Sequence, residues 1–143
     1  MGGERKLVYR GQKFRIAFAR DRSGSSEAEE FFDHLPTGDK AKLMHLFRIL
    51  CDHGKHSNPE KFGDLGAGLY EFKSFQIRMP YAHSEYENGL IIVTHGFRKK
   101  KDRTAPSEIA RARRILDEDA AENRTHSNKI HVITGQGSKR GQP

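Results

Sequence analysis

The chain has 143 residues, with 34% hydrophobic content and a formal net charge of +7; this is one domain by size, long enough to bury a single core. Its one cysteine, Cys51, excludes an internal disulfide framework and suits a reducing cytosol, so a cytoplasmic location is expected. No run approaches the ~18 apolar residues of a membrane span, and the start, MGGERKLVYR, lacks the apolar stretch of a signal peptide.

Residues 1–12 form a polar N-terminal segment with one short apolar patch, Leu7 to Tyr9. Phe14, Ile16 and Phe18 then alternate with Arg15 and Ala17, which predicts a half-buried strand. After a turn-rich loop from Asp21 to Ser25, Ser26 and Glu29 form a capping box. Ala28, Phe31, Phe32 and Leu35 follow at i, i+3, i+4 and i+7, one face of a helix that Pro36 ends. Thr37 and Asp39 favour a second helix start, through a cap and the helix dipole. Leu43, Leu46, Phe47 and Leu50 make its buried stripe, and His53-Gly54 is its stop. Only Pro36-Thr37-Gly38 separates the two helices, so a hairpin is predicted.

Lys55 to Gly68 reads as a loop rich in Gly, Asn and Pro. Three strands follow, Leu69 to Lys73, Ile77 to Tyr81 and Leu90 to Phe97, joined by short turns that suit an antiparallel meander. Pro80 cannot donate to a ladder, which predicts a kink, a bulge or local exposure there. Thr104 or Ala105, with Pro106, opens a third helix. Ile109, Ala112, Leu116 and Ala120 carry its apolar face, with Ile115 beside it, and it frays around Asn123. Residues 124–143 are a basic tail: Ile130 to Thr134 allow a late strand, and the end, GQGSKRGQP, has the composition of disorder. The element order predicts an α+β domain, with the helical hairpin on one face of an antiparallel sheet.

The eight histidines do not form a metal pattern: His53 and His56 are three apart, and His83 lies near Glu85 and Glu87, but there is no second cysteine and no H-E-x-x-H. A Walker loop, a dinucleotide fingerprint, a G-x-S-x-G elbow and a Cys-His pair are all lacking. No metal and no cofactor are expected. What remains is a basic set, Lys73, Arg78, His95, Arg98, Lys99, Lys100, Lys101 and Arg103, concentrated after the apolar strand that ends in His95-Gly96-Phe97. Dense positive charge on a rigid element attracts phosphate, with nucleic acid the default polyanion and an anionic membrane or acidic protein the rivals.

RNA can be cut without a metal. The ribose 2′-OH attacks its own phosphate, and the protein must remove a proton, stabilise charge and protonate the leaving 5′-oxygen. Arg suits charge stabilisation because its planar fork pairs two phosphate oxygens. A lysine among other cations can join in proton transfer. His95 or Tyr81 can serve as proton donor or stacking surface. A solvated face, or RNA binding without cutting, fits the same residues. Alternation places Leu69, Glu71 and Lys73 on one strand face and Tyr70 and Phe72 on the other. Arg78 shares a face with Pro80, opposite Ile77, Met79 and Tyr81. Ile91, Val93, His95 and Phe97 line up, so His95 fits a core role as well as a functional one. Glu71 fits pairing with Arg78 or a nearby lysine.

G-L-Y-E-F-K (68–73), I-R-x-x-Y (77–81), I-V-T-H-G-F-R-K-K (92–100) and T-x-P-x-E-I-x-R-A (104–112) together resemble the phage-derived HigB-like branch of the RelE/ParE toxin superfamily. The resemblance spans about residues 13–120 and includes the helix pair. It implies a RelE-type fold over residues 13–123, with the helical hairpin on a twisted antiparallel sheet. It also implies a toxin of a type II toxin-antitoxin system: a metal-independent endoribonuclease that cuts mRNA, often at the ribosome. A helix-turn-helix antitoxin is the implied partner, and no membrane partner is implied. By motif, Arg78 takes the place of the phosphate-binding arginine, Lys99 and Lys100 are the lysines after G-F, and Lys73 stands where the branch has Arg. Catalysis is thus expected from Arg78, Lys99 and Lys100, with His95 and Tyr81 accessory, and RNA binding from Lys73, Arg98, Lys101 and Arg103. A non-catalytic basic binding module remains the alternative, as a degenerate toxin, a gyrase-type interactor or a phage protein.

Overall fold

The computed structural model describes residues 5–54 and 58–134, of which 124–134 by backbone path alone. His56 and the GQGSKRGQP end lie outside the described residues. The chain runs β1 (Leu7–Arg10), β2 (Arg15–Phe18), α1 (Glu27–Asp33), α2 (Thr37–His53), β3 (Phe62–Gly66), β4 (Leu69–Ser74), β5 (Ile77–His83), β6 (Leu90–Val93), β7 (Phe97–Arg98) and α3 (Pro106–Thr134). Among the described residues no helix is long and apolar enough to cross a membrane.

The helix boundaries follow local chemistry. Ser26 caps α1, its side chain accepting from the Glu29 N–H at 3.1 Å. The Glu29 carboxylate meanwhile accepts from Lys6 Nζ at 3.1 Å. Pro36, not Thr37, is the N-cap of α2, without a side-chain cap bond, so Asp39 in the first turn is the acid that complements the helix dipole. Gly54 ends α2 with φ +80°, and its N–H donates to the Leu50 carbonyl at 2.8 Å.

The fold is α+β, and its seven-stranded sheet is mixed rather than antiparallel throughout. The order is β1-β2-β6-β5-β4-β3, with β7 paired to β5. β2 and β6 run parallel, from Arg15↔Leu90 to Phe18↔Val93. Parallel neighbours need a long crossover, which the hairpin and the β3–β5 meander supply here. The other pairings are antiparallel.

Both faces of the sheet are covered. Leu43, Leu46, Phe47 and Leu50 of α2 pack with Ile16, Phe18, Phe72, Met79, Tyr81, Ile91 and Val93 on one face. Each such fully buried side chain contributes roughly 1.5–3 kcal/mol relative to exposure. On the other face, Ile115 of α3 meets Ala17, Leu90 and Ile92, while Ala112 meets Leu69 and Ala82. This is why Leu90–Val93 is a continuous apolar run: all four residues are buried between helices on either side.

Several expected elements take a different form. Leu7–Arg10 is an edge strand inside the sheet, and the preceding Arg5 chelates Asp119 of α3, with Nη2 at 2.7 Å and Nε at 3.0 Å. Asp119 is 1% exposed and also accepts from the Arg20 N–H at 3.0 Å, so this ion pair anchors the N-terminal segment in the interior. Phe62–Gly66, expected within a loop, is β3, paired with β4 through Phe62↔Phe72. The third helix does not fray at Asn123 and give way to a strand at 130–134; it continues to Thr134. Asn123 lies within it, its Nδ2 donating to the Asp119 carbonyl one turn back at 2.7 Å. A short β-branched run does not by itself separate strand from helix.

Pro80 keeps its ladder position, opposite Glu71 on β4. Its carbonyl accepts from the Thr94 N–H at 2.9 Å. The missing N–H therefore faces the same side, and there the neighbouring strand is interrupted. The expected strand from Leu90 to Phe97 is split into β6 and β7, with Thr94, His95 and Gly96 between them. Proline breaks its neighbour's ladder rather than its own strand.

Candidate nucleic-acid interface

That interruption decides where the basic run goes. β7 pairs with the start of β5 through Ile77↔Arg98 and Arg78↔Phe97, and the Lys99 N–H donates to the Gln76 carbonyl at 2.7 Å. The loop from Lys99 to Ala105 is thus rooted on the β4–β5 turn before it reaches α3. Between this loop, β3, β4 and the N-terminus of α3 lies an open cleft of about 870 Å³. Lys73, Arg98, Lys99, Lys100, Lys101 and Arg103 all line it, against the acids Asp64, Glu71, Asp102 and Glu108, so cations outnumber carboxylates. The first turn of α3 adds its positive dipole end. Arg98, Lys100, Lys101 and Arg103 are exposed, while Lys73 and Lys99 are half-buried.

Glu71 also lines the cleft. It is 6% exposed, and its Oε1 accepts from the Thr104 hydroxyl at 2.7 Å. A Cβ on Gly63 would lie 3.2 Å from Glu71 Oε2 and 3.4 Å from Lys73 Cε, so the glycine on β3 leaves room for both side chains. The signals were the glycine in G-D-L-G (63–66) and the Leu69-Glu71-Lys73 alternation, which the structure reproduces with Leu69 against α3 and Tyr70 and Phe72 against the hairpin.

The other expected residues lie in the interior, outside this lining. Arg78 is 8% exposed, and its Nη1 donates to the carbonyls of Phe75 at 2.7 Å and Ile77 at 2.9 Å. Burial lowers its pKa, and the nearby Glu71 charge opposes that shift. Tyr81 is buried between Tyr70, at 5.6 Å, and Phe72, at 4.4 Å, measured between ring centroids. Desolvation raises its phenol pKa well above the ordinary value, which opposes ionisation.

His95 is 1% exposed. Its Nε2 lies 2.9 Å from Glu108 Oε1 and its Nδ1 2.9 Å from Thr94 Oγ1. A carboxylate only accepts, so the neutral ring carries its proton on Nε2 and accepts from the threonine hydroxyl at Nδ1. Desolvation lowers its pKa; the Glu108 bond opposes this and the Arg111 charge adds to it. The expected alignment of His95 with Ile91 and Val93 does not hold. Those two face the hairpin, whereas the break at Thr94 resets the alternation and turns His95 to α3, where it stacks on Phe97 at 5.5 Å. Gly96 is required beside it: any Cβ there would overlap the ring of Phe31 on α1.

Among the described residues no three His, Cys, Asp or Glu side chains gather as a possible metal site. Cys51 is buried in the core, where desolvation pushes its thiol up to about 12.

No curated protein matches the chain. Residues 30–117 match the model of the family described as phage derived protein Gp49-like (DUF891). This span covers more than half of the chain, from α1 through the cleft to the first half of α3. The chain therefore belongs to the phage-derived Gp49-like family, within the RelE/ParE-like toxin superfamily.

Proposed function

We propose that this protein is the toxin of a type II toxin-antitoxin system and a metal-independent endoribonuclease acting on mRNA in the cytoplasm. The observation that carries the reading is the convergence of Lys73, Arg98, Lys99, Lys100, Lys101 and Arg103 on one cleft. Family membership supports the toxin class.

In the proposed reaction the ribose 2′-oxygen attacks the adjacent phosphorus, the P–O5′ bond breaks, and a 2′,3′-cyclic phosphate is left. Lys99 and Lys100 neutralise the charge that builds on the phosphate, and one of them protonates the departing 5′-oxygen. Glu71, held through Oε1 by Thr104, offers Oε2 on the Gly63 side as acceptor for the 2′-OH proton. Lys73, Arg98, Lys101 and Arg103 hold the flanking phosphates. Arg78, His95 and Tyr81 act as positioning residues: Arg78 holds the β4–β5 turn, His95 ties the strand break to α3, and Tyr81 fills the core beneath β4. A helix-turn-helix antitoxin is the proposed partner, and the ribosome the proposed site of action.

The burial of Arg78, Tyr81 and His95 also favours a second reading, a basic module that binds RNA without cutting it. Induced expression in a bacterial host, wild type against Lys99→Ala/Lys100→Ala, with mapping of mRNA 5′ ends, separates the two. Growth arrest with new internal 5′ ends, both lost in the double variant, is the expected result. Arrest without new ends points to the binding module.

A further inference from the structure

We infer that the shallow pocket between α2 and the β4–β5 turn is a nucleobase subsite, in which Phe75 stacks on a base of single-stranded RNA bound at the cationic cleft. The inference rests on the RNA reading above and names a contact that the cleft itself does not contain.

Phe75 is 67% exposed, more than the other exposed large hydrophobics, Leu7 and Tyr86. A lone exposed apolar residue needs no explanation, but this one is held in place. Its φ is +54°, a region that a bulky L-residue rarely adopts. Its carbonyl is fixed by the buried guanidinium of Arg78 at 2.7 Å. Lys42 Nζ lies 4.7 Å and Lys61 Nζ 5.9 Å from the centre of its ring. Beside the ring is a pocket of about 300 Å³, with Ala41 and Leu46 as its other apolar walls and Lys42, His45 and Lys61 at its rim.

An aromatic face, a small apolar pocket and rim cations match one ligand chemistry best. An apolar ligand leaves the lysines unused, and a carboxylate has no need of the ring. A nucleotide brings a flat π surface and a phosphate together. Backbone bonds tie the elements of the subsite to those of the cleft: the Lys73 N–H donates to the Lys61 carbonyl at 2.8 Å, and the Lys99 N–H to the Gln76 carbonyl at 2.7 Å. The pocket is lined from α2 and the cleft from the start of α3, with the β4–β5 turn between them, so the proposed strand passes around that turn.

The test is fluorescence anisotropy with a short 5′-fluorescein-labelled oligoadenylate, titrated with the full chain at several salt concentrations. Phe75→Gly removes the ring and relieves the positive φ, so it keeps the fold while abolishing the stack. Phe75→Gly and Phe75→Leu should each weaken binding roughly 5- to 150-fold with the salt slope unchanged, and Phe75→Tyr should bind like wild type. Wild-type affinity in Phe75→Gly, while Lys100→Ala and Lys101→Ala still weaken binding, overturns the subsite and leaves the RNA reading standing. Wild-type affinity in Phe75→Leu overturns stacking. Unchanged RNA affinity with lost inhibition by a co-expressed antitoxin assigns the pocket to a protein and also overturns the proposal. No binding by wild type removes the RNA reading and the subsite together.

Discussion

Arg78 Nη1 donates to the carbonyl of Phe75 at 2.7 Å. An arginine on a motif strand of a basic protein is thereby turned inward, onto the turn that precedes it, and not outward to a phosphate. The turn it fixes holds both Phe75 and the backbone carbonyl of Gln76, on which Lys99 is anchored. In the proposed function Arg78 therefore acts on the cleft through the geometry of a turn.

Replacing Arg78 should cost stability before it costs binding. Arg78→Ala leaves the Phe75 carbonyl without its buried donor, a loss of about 1–3 kcal/mol. Urea unfolding should show a lower midpoint with an unchanged m-value. Arg78→Lys should recover only part of the loss, because an ammonium lacks the planar fork. A variant with wild-type stability and abolished RNA binding would return Arg78 to a direct phosphate role.

His95 makes stability depend on pH in a defined direction. Its pKa in the folded state is lowered, mainly by burial, below the value of about 6.5 expected in the unfolded chain. Above pH 6.5 both states are neutral at this residue, and its contribution is fully present. As pH falls below 6.5 the unfolded state takes up the proton first, so stability declines until the folded pKa is passed. Urea midpoints should therefore fall as pH is lowered through about 6.5, and His95→Gln should flatten that part of the profile while lowering stability overall.

The exposed lysines should affect binding without affecting the fold. Lys100→Ala and Lys101→Ala lie on the open side of the cleft, so each should change stability by no more than about 0.5 kcal/mol. Each that contacts a phosphate should lower the slope of log affinity against log salt by roughly 0.7 for single-stranded RNA. Slopes equal to wild type in both variants would place the bound strand elsewhere.

Gly96 should tolerate no side chain. A Cβ there overlaps the Phe31 ring, so α1 must shift away from the strand break. Gly96→Ala should cost about 1–3 kcal/mol, the usual range for an overfilled interior. Adding Phe31→Ala should cost less than the sum of the two single changes, which a double-mutant cycle by thermal unfolding would reveal.

The hairpin was legible because its signals are local. Ser26 with Glu29, the i, i+3, i+4 stripes and Gly54 act within one or two turns, and the α2 residues expected in the core are all buried. β1 and β3 were not legible. Each is a short strand near a sheet edge with partly exposed residues, Leu7–Arg10 with one apolar patch and Phe62–Gly66 with two glycines. Their pairing energy comes from neighbours that are distant in the chain. The β-branched run at 130–134 is compatible with both periodicities, and it lies in α3.

By itself the sequence determined the α+β class, the hairpin, the antiparallel meander and the delivery of Arg98 to Lys101 to one place. These follow from periodicity, caps and charge, which operate over a few residues. Only the tertiary structure decided which of the candidate residues share a cleft. Pro80 interrupts the neighbouring strand, the interruption turns His95 to Glu108, and burial draws Arg78 and Tyr81 into the interior. It also brought Glu71 and Phe75 forward, because a side chain's exposure is set by what lies across the sheet, and adjacent letters do not record that.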